Sequence, residues 1–284
     1  MIKRTIAFST PSYLSLKDKQ LVVKFPEEDK TPCTIPIEDI GVVLLEHRQI
    51  TITSGLISAL VENNCAVVSC NEKNMPTGLI LPLEGHTLQS ERFTDQINAS
   101  LPLKKQLWQQ TMQYKIRNQA AVLQNICELP ATNMLAWARE VKSGDPDNYE
   151  GRAAVYYWKN LFPEIDNFKR DRFGDFPNNV LNYGYAILRA VIARALVGSG
   201  LLPTLGIHHH NKYNAYCLAD DIMEPYRPYV DILVRDLWDN GFDLCELTPE
   251  IKRKLWEIPA IDVNMGEKTS PLLVAASTTT SSLA

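Results

Sequence analysis

Residues 103–126 read LKKQLWQQTMQYKIRNQAAVLQNI, and this run decides the fold class. Its apolar residues recur at the three- and four-residue spacing of an α-helix. Leu103, Leu107, Met112, Ile116 and Ala120 share one stripe, which leaves the lysines and glutamines outside. Upstream the period is shorter. TIAFST, YLSLK and QLVVKF are β-type runs, and Asp18-Lys19 between the latter two is a hairpin turn. CTIPI, GVVLLE, ITI, AVVSC and GLILPL follow. One helix, Ser54 to Glu62, interrupts them, capped by Thr53 or Ser54 and ended by Asn63-Asn64. Downstream, further helices are predicted at 133–141, 151–162, 180–199, 225–240 and 249–256. The breaker-rich stretches SGDPDNYEG, FPEIDNFKRDRFGDFPNN and GSGLLPTLG separate them. The tail TSPLLVAASTTTSSLA is a weaker helix because of its threonine run. The expected class is α+β: a small β-rich N-terminal domain over residues 1–85, then a larger all-α C-terminal domain over 86–284.

The chain has 284 residues, 45% of them hydrophobic and 22% charged, which suits a globular protein with a sizeable core. MIKRTIAFST contains no long apolar run and no stretch reaches the roughly 20 apolar residues of a membrane span, so the expectation is a cytoplasmic protein without membrane contact. Cys33, Cys65, Cys70, Cys127, Cys217 and Cys245 form no CxxC pair and are expected as reduced thiols. A net charge of -4 argues against a generic DNA-coating protein. The charge is uneven, however. Arg92, Lys104, Lys105, Lys115 and Arg117 follow His86 with few acids, whereas Asp231, Asp236, Asp239, Asp243, Glu246 and Glu250 cluster later.

Three places carry candidate chemistry. Glu150, in DNYEGRAAVYYW, stands where a loop turns into a helix, so its plainest role is to stabilise the helix start. His208-His209-His210 follows a Gly-rich loop, and three consecutive histidines cannot all face one point. In ADDIMEPYRPYVD, Asp221 and Glu224 are three apart and would share a face of a first helical turn, with Pro225 in that turn and a D-x-x-E capping box as the plainest role. Each signal alone is weak. Acid, histidine and acid on separate loop-to-helix junctions together suit Mg2+ or Mn2+, with open positions for a phosphate and an attacking oxygen. No HExxH, Walker GxxxxGK[ST] or GxSxG sequence occurs, and HHHN lies between helices rather than in the strand-strand-helix setting of an HNH nuclease.

LNYGYAILRAVIARALVGSGLLPTLGIHHHNKYNAYCLADDIMEPYRPYVD resembles the core of the CRISPR-associated integrase family, the larger protein of the two-protein spacer-acquisition pair. NYEGRAAVYYW resembles that family's first metal-ligand motif, and GHTLQSERFTDQ resembles the type II subfamily. The resemblance covers nearly the whole chain. It implies Glu150, His209 and Glu224 as metal ligands, and these three with their acidic neighbour Asp221 as catalytic residues. The histidine three residues after the Gly of LGIHHHN is His209, so the pattern selects it over His208 and His210. It further implies integration of short foreign DNA by 3′-OH transesterification with Mg2+ or Mn2+, in a prokaryotic cytoplasm. The implied partners are double-stranded DNA (spacer precursor and CRISPR repeat), a second copy bound through the N-terminal domain, the small acquisition protein in a heterohexamer, and the type II effector nuclease. Arg92, Arg152, Lys169, Arg170, Arg172 and His208 are nominated to contact DNA. Family members commonly continue a little beyond the tail seen here. Two other classes share these residues: a metal-dependent nuclease acting on branched or free DNA, and a non-catalytic DNA-binding scaffold whose acids only cap helices.

Overall fold

In the computed structural model, residues 3–27, 29–174, 176–266 and 268–284 are described. The strands begin with β1 (Arg4–Phe8), β2 (Ser12–Lys17), β3 (Gln20–Lys24), β4 (Cys33–Pro36) and β5 (Ile40–Leu45). β6 (Ile50–Ile52), β7 (Ala66–Cys70) and β8 (Pro76–Ile80) complete them. One sheet has the order β1-β5-β7-β8, with β8 its antiparallel edge; the other has the order β4-β3-β2-β6. GVVLLE supplies the central strand of the first sheet, and Ile40 to Leu44 are all buried, as a strand covered on both faces requires. Helix α1 (Ser54–Glu62) is capped by Thr53, whose hydroxyl accepts from the Leu56 N–H. It contributes Leu56 and Leu60, one turn apart, to a core with Phe8, Leu14, Leu21 and Val43. Asp18 and Lys19 form the β2–β3 turn with φ of 50° and 58°. Both lie in the left-handed region that a two-residue hairpin with matching twist demands.

The protein divides into two units: residues 1–92, 190–201 and 256–284 in one, residues 93–189 and 202–255 in the other. The expectation of an all-α segment after residue 85 needs correction. β9 (Asp262–Met265) and β10 (Lys268–Pro271) form an antiparallel hairpin and belong to the β-rich unit together with α10 (Leu272–Leu283). Strands of four residues are too short to display alternation, so DVNM and KTSP carry no signal. The hydroxyls of the threonine-rich α10 turn back on its own carbonyls, Ser277 to Leu273 and Thr278 to Val274, both at 3.1 Å, and burial of Leu272, Leu273, Ala275 and Ala276 overrides its weak helix propensity. Its buried Thr280 hydroxyl bonds the Ala195 carbonyl at 3.1 Å.

The helical unit is arranged around α3 (Leu101–Asn125), against which α4 (Thr132–Glu140), α5 (Tyr149–Leu161), α7 (Cys217–Met223) and α8 (Arg227–Asp239) pack. The buried stripe of α3 is rotated from the expected one. Met112, Ile116 and Ala120 are in it, but Leu103 is 46% exposed, and Trp108 and Gln119 are buried instead. Lys115, expected outside, is inside: its side chain is 11% exposed. Residues 225–240 are not one helix from Pro225. A 3-10 turn, Glu224–Tyr226, precedes α8, and α7 precedes that turn. All seven residues of α7 are buried, so it has no polar face to create periodicity. Helix α2 (Gln89–Asn98) buries nothing fully, and its only apolar residues, Phe93 and Ile97, make a stripe of one turn, too short to signal a helix. Helix α6 (Asn178–Gly198) is long and apolar enough to cross a membrane, yet 78% of its apolar window is buried within the protein. No disulfide joins the six cysteines, and burial pushes the Cys65 thiol up to about 12.

Lysine at φ 58° is strained by about 1 kcal/mol relative to glycine. The double substitution Asp18→Asn with Lys19→Gly, which installs the preferred Asn-Gly pair in this turn, is expected to stabilise the protein by about that amount. A higher urea midpoint with an unchanged m-value is the expected result.

Candidate active site

Glu150 is in the first turn of α5 but does not cap it. Asp145 accepts from the Tyr149 and Glu150 N–H groups, each at 2.9 Å, and Asn148 accepts from Gly151 at 3.1 Å. The Glu150 carboxylate is thereby released from helix capping. Its Oε1 accepts instead from Lys115 Nζ at 2.6 Å.

Glu224 opens the 3-10 turn, and its side chain likewise caps no helix start. Its side chain is 6% exposed, with Lys115 Nζ 2.6 Å from Oε2 and Arg227 Nη2 3.0 Å from Oε1. Burial opposes the charge on Glu224, but Arg227 and Lys115 outweigh it and hold the carboxyl below its usual range. Lys115 shows the same balance: burial opposes its charge, and Glu224 and Glu150 override it and raise its pKa. Glu224 Oε2 is close to the ammonium yet out of hydrogen-bonding alignment, and it is buried without a hydrogen-bond partner. Such an oxygen suits a metal ligand.

Asp221, expected beside Glu224 on one face, faces the histidine loop instead. It lies in the middle of α7 and is fully buried. Its Oδ2 accepts from the N–H groups of Ile207 (2.8 Å) and His208 (2.9 Å); its Oδ1 accepts from the N–H of His209 (3.2 Å) and from the His209 ring at Nδ1. The ring bond, more than any other contact, raises the His209 pKa. It places the proton on Nδ1 and leaves Nε2 as the ring nitrogen able to ligate. Gly206 precedes this loop because a Cβ there would meet the His209 carbonyl oxygen at 2.3 Å. Trp108 of α3 supports the loop from one side: His208 stacks on it in parallel at 3.9 Å, and His209 meets it edge-on at 5.7 Å.

Glu150, His209, Glu224, Lys115 and Arg227 border one cleft of about 1160 Å³, along with Lys159, Lys169 and Arg170. Among the described residues no three His, Cys, Asp or Glu side chains stand close enough together to hold a metal ion as they are. The cation between the two glutamates is Lys115. Beneath them Asp231 accepts from the hydroxyls of Tyr157 (2.9 Å) and Tyr185, while Arg170 and Arg227 lie 5.0 and 4.8 Å from the centre of the Tyr185 ring. Of the other residues nominated for DNA, Arg92 donates to the Ser199 carbonyl, Arg152 lies over Tyr149, and Arg172 lies over Phe173.

The family model for CRISPR associated protein Cas1 matches residues 6–242. The chain belongs to the Cas1 family. It is 40% identical over 256 residues to the CRISPR-associated endonuclease Cas1 of Neisseria meningitidis serogroup C (strain 8013), a match covering 90% of this chain and 82% of that one. Two solved structures share its fold. A casposase bound to its integration product superposes with a TM-score of 0.79 at 21% identity, over 100% of this chain and 89% of the other. A Cas6-RT-Cas1–Cas2 complex gives 0.74 at 20% identity, over 99% of this chain and 34% of the other.

Lys115, Trp108, Arg227 and Asp231 do not stand out as site residues in this Cas1 sequence. A signal exists for the first two: Trp108, Met112, Lys115 and Gln119 follow alternating four- and three-residue steps, so lysine and glutamine occupy stripe positions. Asp221→Asn sets an amide N–H₂ against backbone donors, and loss of at least about 2 kcal/mol is expected in urea unfolding. Asp231 is a separate case, since burial pushes its carboxyl up to about 6 from 3.8. Between about pH 4 and 6 the folded chain keeps a proton that the unfolded chain has lost, so this group makes stability fall as pH rises through that window and stay level above it. Asp231→Asn is expected to remove that fall, about 2–3 kcal/mol, from unfolding free energies measured between pH 4 and 7.

Proposed function

We propose that this Cas1-family enzyme integrates short DNA into a CRISPR array, with Glu150, His209 and Glu224 holding Mg2+ or Mn2+. The observation that carries this reading is the meeting of Glu150 and Glu224, distant in sequence, on one buried cation in the cleft that His209 also borders. The bound ion supplies Lewis acidity to the phosphoryl oxygens and eases ionisation of the attacking hydroxyl. Asp221 fixes the His209 tautomer through Nδ1. Lys159, Lys169 and Arg170 neutralise phosphate charge along the cleft. In the reaction the 3′ oxygen of the incoming strand bonds to phosphorus at the repeat edge. The P–O3′ bond of the repeat breaks, the attacking hydroxyl loses its proton, and the departing 3′ oxygen gains one.

The finer organisation belongs to the same proposal. Residues 1–85 supply dimerisation and the unit of residues 93–189 and 202–255 the catalytic part, in a protein of the type II subfamily working in a prokaryotic cytoplasm. Two homodimers are bridged by the small acquisition protein, in keeping with the Cas1–Cas2 complex that shares the fold. Duplex DNA is tracked by Arg92, Arg152, Lys169, Arg170, Arg172 and His208, and the type II effector nuclease joins the assembly.

The test incubates the protein and its small partner with labelled 3′-OH duplex, supercoiled repeat-bearing plasmid and Mg2+ or Mn2+. Covalent transfer of label to plasmid is expected. Glu150→Ala, His209→Ala and Glu224→Ala should each lower it at least about 100-fold, on the order of 3 kcal/mol of barrier. Intact transfer by folded Glu150→Ala would overturn the site. Plasmid cleavage without transfer would favour water as nucleophile and a nuclease instead.

A further inference from the structure

Lys115 has a role that charge balance in the cleft defines. Its Nζ stands 2.6 Å from Glu150 Oε1 and 2.6 Å from Glu224 Oε2, on a side chain only 11% exposed. No other ion pair reaches Glu150 among the described residues, and Glu224 has Arg227 on its other oxygen. Two carboxylates therefore face two cations, and the cluster is neutral as it stands. A divalent cation added to the same two carboxylates would leave an excess of two positive charges unless one resident cation withdrew. The inner oxygens are the ones Lys115 occupies. Its hold on them is uneven, because Glu224 Oε2 lacks an aligned hydrogen bond. Lysine also suits a site that must be vacated: it is a compact point charge on a flexible stem, whereas an arginine fork engages oxygens in fixed pairs.

We infer that Lys115 is a positioning residue and built-in counter-ion, holding Glu150 and Glu224 together in the metal-free protein and surrendering both inner oxygens to a divalent cation. The inference rests on the metal-dependent reading above and deepens it. On this account metal binding is a cation exchange, and Lys115 weakens the affinity of the very site it organises.

Lys115→Met and Lys115→Gln test this, with Mn2+ alone as probe and its free-ion electron paramagnetic resonance signal as readout. Both variants should melt several degrees lower than wild type without metal, bind Mn2+ at least tenfold tighter (about 1.4 kcal/mol), and recover melting temperature as Mn2+ is added. A second measurement needs no variant. Reductive methylation of the wild-type protein, read by mass spectrometry, should spare Lys115 without Mn2+ and modify it at saturating Mn2+. Equal or weaker Mn2+ binding by the folded variants, or a Lys115 equally protected with Mn2+ bound, would reduce Lys115 to a structural ion pair and sink the inference while leaving the metal site standing. If neither wild type nor variant binds Mn2+, the metal-dependent reading falls and the exchange falls with it.

Discussion

An ionised carboxylate removed from water must find donors, and the helical unit meets that demand repeatedly within one neighbourhood. Asp221, Glu224 and Asp231 are each at most 4% exposed. Asp221 is satisfied by backbone N–H groups and one imidazole and Asp231 by two tyrosine hydroxyls, while Glu224 has its charge balanced by an ammonium and a guanidinium. Each solution joins elements remote in sequence. Asp221 ties α7 to the histidine loop, Asp231 ties α8 to α5 and α6, and Glu224 is joined through Lys115 to α3 and, by way of Glu150, to α5. The arrangement of the cleft is therefore a by-product of neutralising acids that could not be left alone.

Much of the fold could be read directly, because two periods divide the chain. Short β-type runs marked β2, β3 and β7, and three- and four-residue spacing marked α3 to α6. The Asp18-Lys19 turn and the Thr53 cap were legible as local chemistry. What escaped depends on tertiary burial. Helix α7 is buried on every side and so carries no pattern. The 262–271 hairpin has strands too short to alternate, and α10 gains from Thr280 a bond to α6 that no local propensity contains.

The site was legible in a different way. Glu150 and Glu224 each stand at a helical junction, where an acid is ordinarily a cap, and local physics gave no reason to look further. Only the positions of Asp145 and Asn148, which take over capping at α5, free Glu150 for other work. The family pattern picked His209 from its neighbours, and the Asp221 bond to Nδ1 gives a physical basis for treating it differently from them. Lys115 was hidden by a rule that usually holds, that lysine on an amphipathic helix faces water. Its position was in the buried stripe, but its value comes from two carboxylates supplied by other elements.

The Asp221 carboxylate also limits how this chain can evolve. Its bonds fall on three consecutive backbone N–H groups and one ring, and Gly206 seats that loop at a distance where no side chain fits. Insertion or deletion of a single residue between Gly206 and His209 would slide the donors past their acceptor and turn a different ring toward the cleft. Length variation among descendants must therefore be absorbed elsewhere. The histidine loop can change its side chains, but it cannot change its count.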